Sequence, residues 1–356
     1  MRVAFLTYDF EETGGQGRFS QGLVSALRAD GVDVDVIQPA TTHSDRLSRA
    51  ATRFGKGPGF SFLVNLHSRS ILESGSADLI HVNGGPGGVL IPRSQACPVV
   101  YTAHHTYAQQ ASLVGGQGWK LVLALMEKRS YEKAHSIAAV SRSTADSIVT
   151  GYKTDPSKVA VVPNGLDFGL FRPAPVSKSP RTCLFVGRLD ARKGFLHLIK
   201  AWPRVVERLP SSKLLVIGNG PERLAAEKYL AQEGIVHTVT FLGRVDSREL
   251  VRLYSEAQCV AVPSVFEGFG LAALEALACG TRVVARNVDG LRDVITDDDL
   301  GRLVAPNDID ALADAIVDEF DHPRGINSRT RARLVEKYDW TVVERQYREL
   351  YADALR

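Results

Sequence analysis

Residues 259–285, CVAVPSVFEGFGLAALEALACGTRVVA, leave the chain few ways to fold. The apolar run Cys259-Val260-Ala261-Val262 has the character of a buried parallel strand. A loop carrying Gly268 and Gly270 follows, and then a run of strong helix formers from Leu271 to Ala278. Gly280 closes that helix, and residues 282–285 supply another strand. The result is a βαβ unit whose glycine-containing loop feeds a helix N-terminus, a natural anion site. Glu267 and Glu275 bracket the loop and helix. If both belong to one site, its ligand is long and carries phosphate.

The same alternation runs through the whole chain. At 356 residues the sequence suits two domains. In the first half, residues 2–8, 32–37, 77–83, 98–103, 136–140 and 158–162 read as strands. Residues 19–29 and 118–134 read as helices, and Ser141 reads as the N-cap of a helix reaching 149. Residues 163–175 break regular structure and 176–181 are polar and basic, which marks a boundary. Beyond it, strands at 182–186, 213–217 and 239–242 each run into a glycine loop and a helix. The βαβ unit comes next, and then helices at 311–320, 328–337 and 341–355. Nearly every strand ends in glycine, so the expected class is α/β: two doubly wound, Rossmann-like domains, 1–168 and 169–340, facing a central cleft.

Composition excludes several classes. A net charge of +3, with no interleaving of arginine and aromatic residues, does not suggest a nucleic-acid partner. Cys97, Cys183, Cys259 and Cys279 form no CxxC pair and read as buried reduced thiols, which predicts a cytoplasmic setting. The N-terminal apolar run is too short for a signal peptide. No run approaches the roughly 20 apolar residues that cross a bilayer. Arg46, Arg49, Arg53 and Lys56 recur at helical spacing. They read as a solvated face or loop, or as a weak peripheral contact with the inner membrane face.

The chemistry concentrates at strand ends. Arg188 and Lys193 share one loop, and a guanidinium fork plus an ammonium suits a pyrophosphate. Glu267 and Glu275 would stand about 12 Å apart if the span were helical throughout. That exceeds the roughly 5–9.5 Å of glycosidase carboxyl pairs and suits the two ends of a nucleotide sugar. Gly14 and Gly15 follow the first strand without the GxGxxG spacing, either turning the chain or letting backbone approach a phosphate or sugar. His104 and His105 sit just past a strand. No metal site is expected, because Asp33-Val34-Asp35 lies within or at the start of a strand and 297–299 reads as a turn.

Together these segments resemble the GT-B-fold retaining glycosyltransferases of family GT4, the glycosyl transferases group 1. The match runs over nearly the whole length: Gly14-Gly15 with Arg18, Thr102-Ala103-His104, Val140-Ser141, and residues 162–167 (VPNGLD). It continues through Gly187-Arg188-Leu189 with Lys193-Gly194, then Gly218-Asn219-Gly220-Pro221. Its last part is Glu267-Gly268-Phe269-Gly270-Leu271 with Glu275, the family's E-x7-E motif.

The resemblance implies a nucleotide-diphosphate-sugar donor, a hydroxyl acceptor, no metal or other cofactor, and front-face transfer with retention. Arg188 and Lys193 would hold the diphosphate, and Glu275 the ribose. Glu267 would touch the transferred sugar, while Phe269, Gly270 and Leu271 offer amides. Gly15, beside Gly14, would close on phosphate from the first domain. Gly218 belongs to the donor loops, Arg244 or Val245 would lie near the base, and His104 near sugar or acceptor. His105 leaves open which histidine points inward. The resemblance also implies that a C-terminal helix, about 341–356, packs back on the first domain. A nucleotide-sugar epimerase of the same fold and an inert nucleotide-sugar-binding partner are the competing readings. A phosphorylase would be expected in a much longer chain, and a dehydrogenase has the wrong glycine spacing.

Overall fold

The computed structural model describes residues 1–10, 14–38, 71, 74–84, 88–89, 91, 97–114 and 120–356. The basic stretch from Arg46 to Lys56 lies outside them. The chain divides into two compact units, Met1–Gly165 with Tyr338–Arg356, and Leu166–Lys337.

In the first unit the elements run β1 (Arg2–Thr7), α1 (Gly15–Ala29), β2 (Asp33–Ile37), β3 (Leu79–Asn83), β4 (Val99–Ala103), α2 (Tyr107–Leu113) and α3 (Leu121–Lys133). They continue with β5 (Ser136–Ala139), α4 (Arg142–Asp146) and β6 (Val159–Val161). The second unit holds β7 (Ser179–Val186), α5 (Phe195–Arg208), β8 (Lys213–Ile217), α6 (Arg223–Gln232), β9 (Val239–Gly243), α7 (Ser247–Glu256) and β10 (Ala257–Val262). After these come α8 (Leu271–Ala278), β11 (Arg282–Arg286), α9 (Asp289–Val294), β12 (Gly301–Val304), α10 (Ile309–Asp321) and α11 (Ser328–Tyr338). The last helix, α12 (Trp340–Leu355), belongs to the first unit.

Each unit carries a six-stranded sheet, ordered β2-β1-β3-β4-β5-β6 and β12-β11-β10-β7-β8-β9. The strand pairings within both sheets are parallel. Parallel strands covered on both faces are largely apolar, and β3, β4, β10 and β11 are buried along their whole lengths, the polar residues they carry included. In both sheets the strand order reverses beside the first strand, β1 or β7. In open parallel sheets ligands bind outside the carboxyl ends beside such a reversal.

The structure moves several boundaries. α1 starts at Gly15 rather than near 19, with Gly14 as its N-cap, so the glycine loop is the helix's own first turn. β7 starts at Ser179, inside the stretch expected to be linker, because its polar first residues sit on a partly exposed strand end. The helix capped by Ser141 gives way to a π turn at Ser147–Gly151. Short α2, α9 and β12 carry too few residues for a period to show. All four cysteines are buried free thiols.

α12 is fixed to the first sheet by packing and by a buried polar layer. Val343, Tyr347 and Tyr351 join Phe19, Leu23 and Leu27 in one core. Beneath them, His81 Nδ1 meets the Tyr351 hydroxyl at 2.5 Å and His81 Nε2 meets Thr102 Oγ1 at 2.8 Å. Thr102 in turn meets the Tyr347 hydroxyl at 2.8 Å. Tyr351→Phe strands one ring nitrogen of His81 in the core and should lower stability by about 1–3 kcal/mol, read by urea denaturation.

Burial, with the His104 charge adding to it, holds His81 down to about 3 from an ordinary 6.5. The unfolded chain protonates this ring near 6.5, so its contribution is complete above that pH and is lost as pH falls toward 3. The buried Glu127 carboxyl, raised to about 7 by desolvation, acts in the opposite sense, losing stability as pH rises from 4.5 to 7. Thermal melts between pH 7 and 4 should therefore fall less steeply in a folded His81→Gln variant than in the parent.

Candidate active site

Two loops at the carboxyl ends of β7 and β10 are built into one block. Asp190 caps a short turn, Ala191–Lys193, by accepting from the Lys193 amide at 3.0 Å. Gly194 then takes a left-handed φ of 65° and starts α5. A Cβ at Gly194 would lie 1.9 Å from the Pro263 carbonyl oxygen, so only glycine permits this approach. The Val265 amide donates to the Arg192 carbonyl at 2.9 Å, and the Gly290 amide donates to the Glu267 carbonyl at 3.1 Å.

Across this block Lys193 Nζ meets Glu267 Oε2 at 2.5 Å, with side chains only 19% and 12% exposed. The Ser264 hydroxyl donates to the same oxygen at 3.2 Å. Desolvation pushes the Glu267 carboxyl up, but Lys193, Arg192 and the two hydrogen bonds outweigh it and hold it below its usual range. Arg188 pairs with Asp190 at 3.2 Å while remaining 72% exposed, so this pair is weak and open to exchange.

The helix α8 begins at Leu271, so Glu267 stands on the loop and only Glu275 on the helix. This is the loop and helix read from the sequence, so the 12 Å of a wholly helical span does not apply to the pair. Gly270, at φ 107°, forms the N-cap, and no side chain caps that end. Phe269 is buried beside it. Glu275 is 1% exposed and accepts from the Tyr254 hydroxyl at 2.9 Å.

Gly218 follows β8, its amide donating to Gly243 at 2.7 Å. Arg244 and Val245 follow β9, with Arg244 exposed. In the first unit Gly14 and Gly15 open α1. His104 follows β4, its Nε2 at 2.8 Å from Asn83 Oδ1 and its ring edge-on to Phe19. Burial holds His104 down to about 4. His105 instead lies against Tyr107.

Sequence reasoning missed Tyr254, Ser264, Arg192 and Asn83. Tyr254 and Ser264 carry no motif. Asn83 had a signal: His81 and Asn83 alternate as polar residues on a strand that is otherwise apolar. Among the described residues no three His, Cys, Asp or Glu gather as metal ligands would, and no helix is long and apolar enough to cross a membrane.

Residues 170–337 match the family described as Glycosyl transferases group 1, and residues 13–169 match Glycosyltransferase Family 4. The MMP alpha-(1->4)-mannosyltransferase of Mycolicibacterium hassiacum is 32% identical over 300 residues, 79% of this chain and 72% of that protein. The phosphatidyl-myo-inositol mannosyltransferase of Mycolicibacterium smegmatis is 28% identical over 375 residues, 99% of this chain and 93% of its own. Among solved structures, sucrose-phosphate synthase from Thermosynechococcus elongatus has a TM-score of 0.81 at 24% identity, covering 99% of this chain and 98% of that one. Anabaena HepE in complex with UDP-glucose has a TM-score of 0.75 at 19% identity, covering 99% of each chain. This chain belongs to glycosyltransferase family 4, and it is a glycosyltransferase with the GT-B fold.

The loop block makes its own prediction. Gly194→Ala should lower the free energy of unfolding by at least about 1–2 kcal/mol, from left-handed strain before any clash is counted. Gly187→Ala, whose added Cβ meets nothing closer than 3.6 Å, is the matched comparison in the same urea titration.

Proposed function

We propose that the enzyme transfers a sugar from a nucleoside-diphosphate sugar to an acceptor hydroxyl, with retention at the anomeric carbon and without a metal ion. The observation that carries this reading is the Lys193–Glu267 pair at the mouth of an uncapped helix N-terminus. A half-buried ammonium at Lys193, an exposed guanidinium at Arg188 and the amides at Gly270 and Leu271 form an anion-stabilising set suited to a diphosphate leaving group. Glu275 is suited to the ribose hydroxyls, Glu267 to the transferred sugar, and Arg244 or Val245 to the base. The UDP-glucose held by HepE supports a donor of this class.

In the proposed step the bond from the anomeric carbon to the diphosphate oxygen breaks while the acceptor oxygen bonds on the same face. The acceptor proton passes to the leaving phosphate oxygen. Cations are needed where that charge develops, and Lys193 is held in place in advance by its pair with Glu267. When the donor arrives, Lys193 exchanges part of that contact for phosphate, leaving Glu267 able to accept from a sugar hydroxyl.

The test is a panel of UDP-, GDP- and ADP-sugars assayed with and without EDTA, with the product anomer read by NMR. We expect turnover with one donor class, undiminished by EDTA, and retained configuration. Lys193→Ala and Glu267→Ala should each lower kcat about 100- to 1000-fold. Parent-like variants, or binding of no donor, would reject the assignment. An isomerised sugar formed from donor alone would instead favour an epimerase.

A further inference from the structure

His104 emerges from β4 with its orientation already determined by a polar clamp beneath it. The Thr7 hydroxyl donates to the Asp9 carbonyl at 2.9 Å, and the Ser20 hydroxyl faces the Asp9 and Gln16 carbonyls, each at 2.9 Å. The two hydroxyl oxygens are also 3.0 Å apart. Each hydroxyl has a single proton with an acceptor at hand, in a carbonyl or in the other hydroxyl, so both oxygens keep lone pairs free to accept. Asn83 Nδ2 donates to both, at 2.8 Å to Ser20 and 3.2 Å to Thr7. All these side chains except His104 are fully buried, which makes an unsatisfied arrangement costly.

The consequence is a fixed amide. With Nδ2 turned toward the hydroxyls, Oδ1 must face His104 Nε2, 2.8 Å away. An amide oxygen cannot donate, so Nε2 carries the proton. Turning the amide over would set its oxygen against the two hydroxyls, which could answer it only by withdrawing protons from their present acceptors, and would set Nδ2 against His104 Nε2. The ring is kept neutral by its surroundings, so Nδ1 is left as a lone-pair acceptor. Among the described residues Nδ1 has no hydrogen-bond partner.

We propose that Asn83 is a positioning residue of this glycosyltransferase: clamped by Thr7 and Ser20, it locks His104 as the Nε2–H tautomer, so that Nδ1 accepts a hydrogen bond from a substrate hydroxyl. The inference rests on the reading of His104 as a substrate-facing residue. It adds what that reading lacks, namely the direction of the hydrogen bond and the residue that dictates it. His104 can then receive a sugar or acceptor hydroxyl but cannot donate to a phosphate oxygen through Nδ1. Asn83 touches no substrate and acts only through the ring.

Long-range 1H–15N correlation spectra of the 15N-labelled full chain read the tautomer directly, with His104→Gln identifying the ring signals. The parent should show one species, protonated at Nε2 and bare at Nδ1. In Asn83→Leu the ring should populate the other tautomer, and kcat/KM for the donor found by the panel should fall about tenfold or more. If Asn83→Leu does not fold, the Thr7→Val/Ser20→Ala double variant, which frees the amide to turn, decides in its stead. An Nδ1–H ring in the parent, or an unchanged tautomer in a folded clamp variant, overturns the assignment of Asn83. The assigned tautomer combined with parent-like kcat/KM in His104→Ala overturns the substrate-facing reading, and with it the catalytic consequence.

Discussion

An ammonium and a carboxylate, Lys193 and Glu267, meet at 2.5 Å where little water reaches them, and the second unit is arranged around that contact. Removing both ions from solvent costs several kcal/mol each, and their attraction repays this only with good geometry and further hydrogen bonds. The surrounding backbone supplies that geometry. Gly194 lets the β7 loop press on Pro263, the Val265 amide ties that loop to Arg192, and the Gly290 amide holds the Glu267 carbonyl. Ser264 then fills a remaining lone pair of the carboxylate. The contacts that join the loops are thus the ones that hold the pair in register. Lys193 Nζ is positioned by protein contacts alone, and a group so positioned can stabilise charge without reorganisation at the moment of reaction.

How much of this could be read from residues alone depends on how local the cause is. Strands such as β10 and helices such as α8 announce themselves because burial on both faces demands unbroken apolar runs. Glycines at strand ends announce the loops, and Glu267, Glu275, Arg188 and Lys193 stand out as charges beside them. Pairings are another matter. Lys193 and Glu267 are 74 residues apart, and the sequence assigned them to phosphate and to sugar without showing that they would hold one another. Tyr254 reaches Glu275 from a neighbouring helix and has the look of a core tyrosine. Four-residue β12 and six-residue α9 are set by the sheet they complete, so no local period reports them.

The first unit handles buried polarity by a different route. His81, Thr102, Tyr347 and Tyr351 form one neutral chain, and Thr7, Ser20, Asn83 and His104 form another. A neutral chain avoids the ionic desolvation cost but must satisfy every donor and acceptor, so each hydroxyl and ring acquires a definite direction. This explains why polar residues alternate along β3 within an otherwise apolar strand. It also explains why α12, distant in sequence, is fastened by tyrosines as well as by aliphatic packing.

The contrast bears on what each unit can recognise. Charge held in a pair can be partly transferred to an incoming anion, so the Lys193 block is suited to a ligand whose charge grows as a bond breaks. A neutral directional network has no charge to give, and it discriminates by which atom donates and which accepts. Such a network suits hydroxyl groups, which are all alike in charge and differ only in where their protons point. The division follows from electrostatics at the level of single side chains. Stabilising a leaving group requires cations that are already paired and dehydrated, whereas orienting a hydroxyl requires a ring whose tautomer has been fixed by its neighbours.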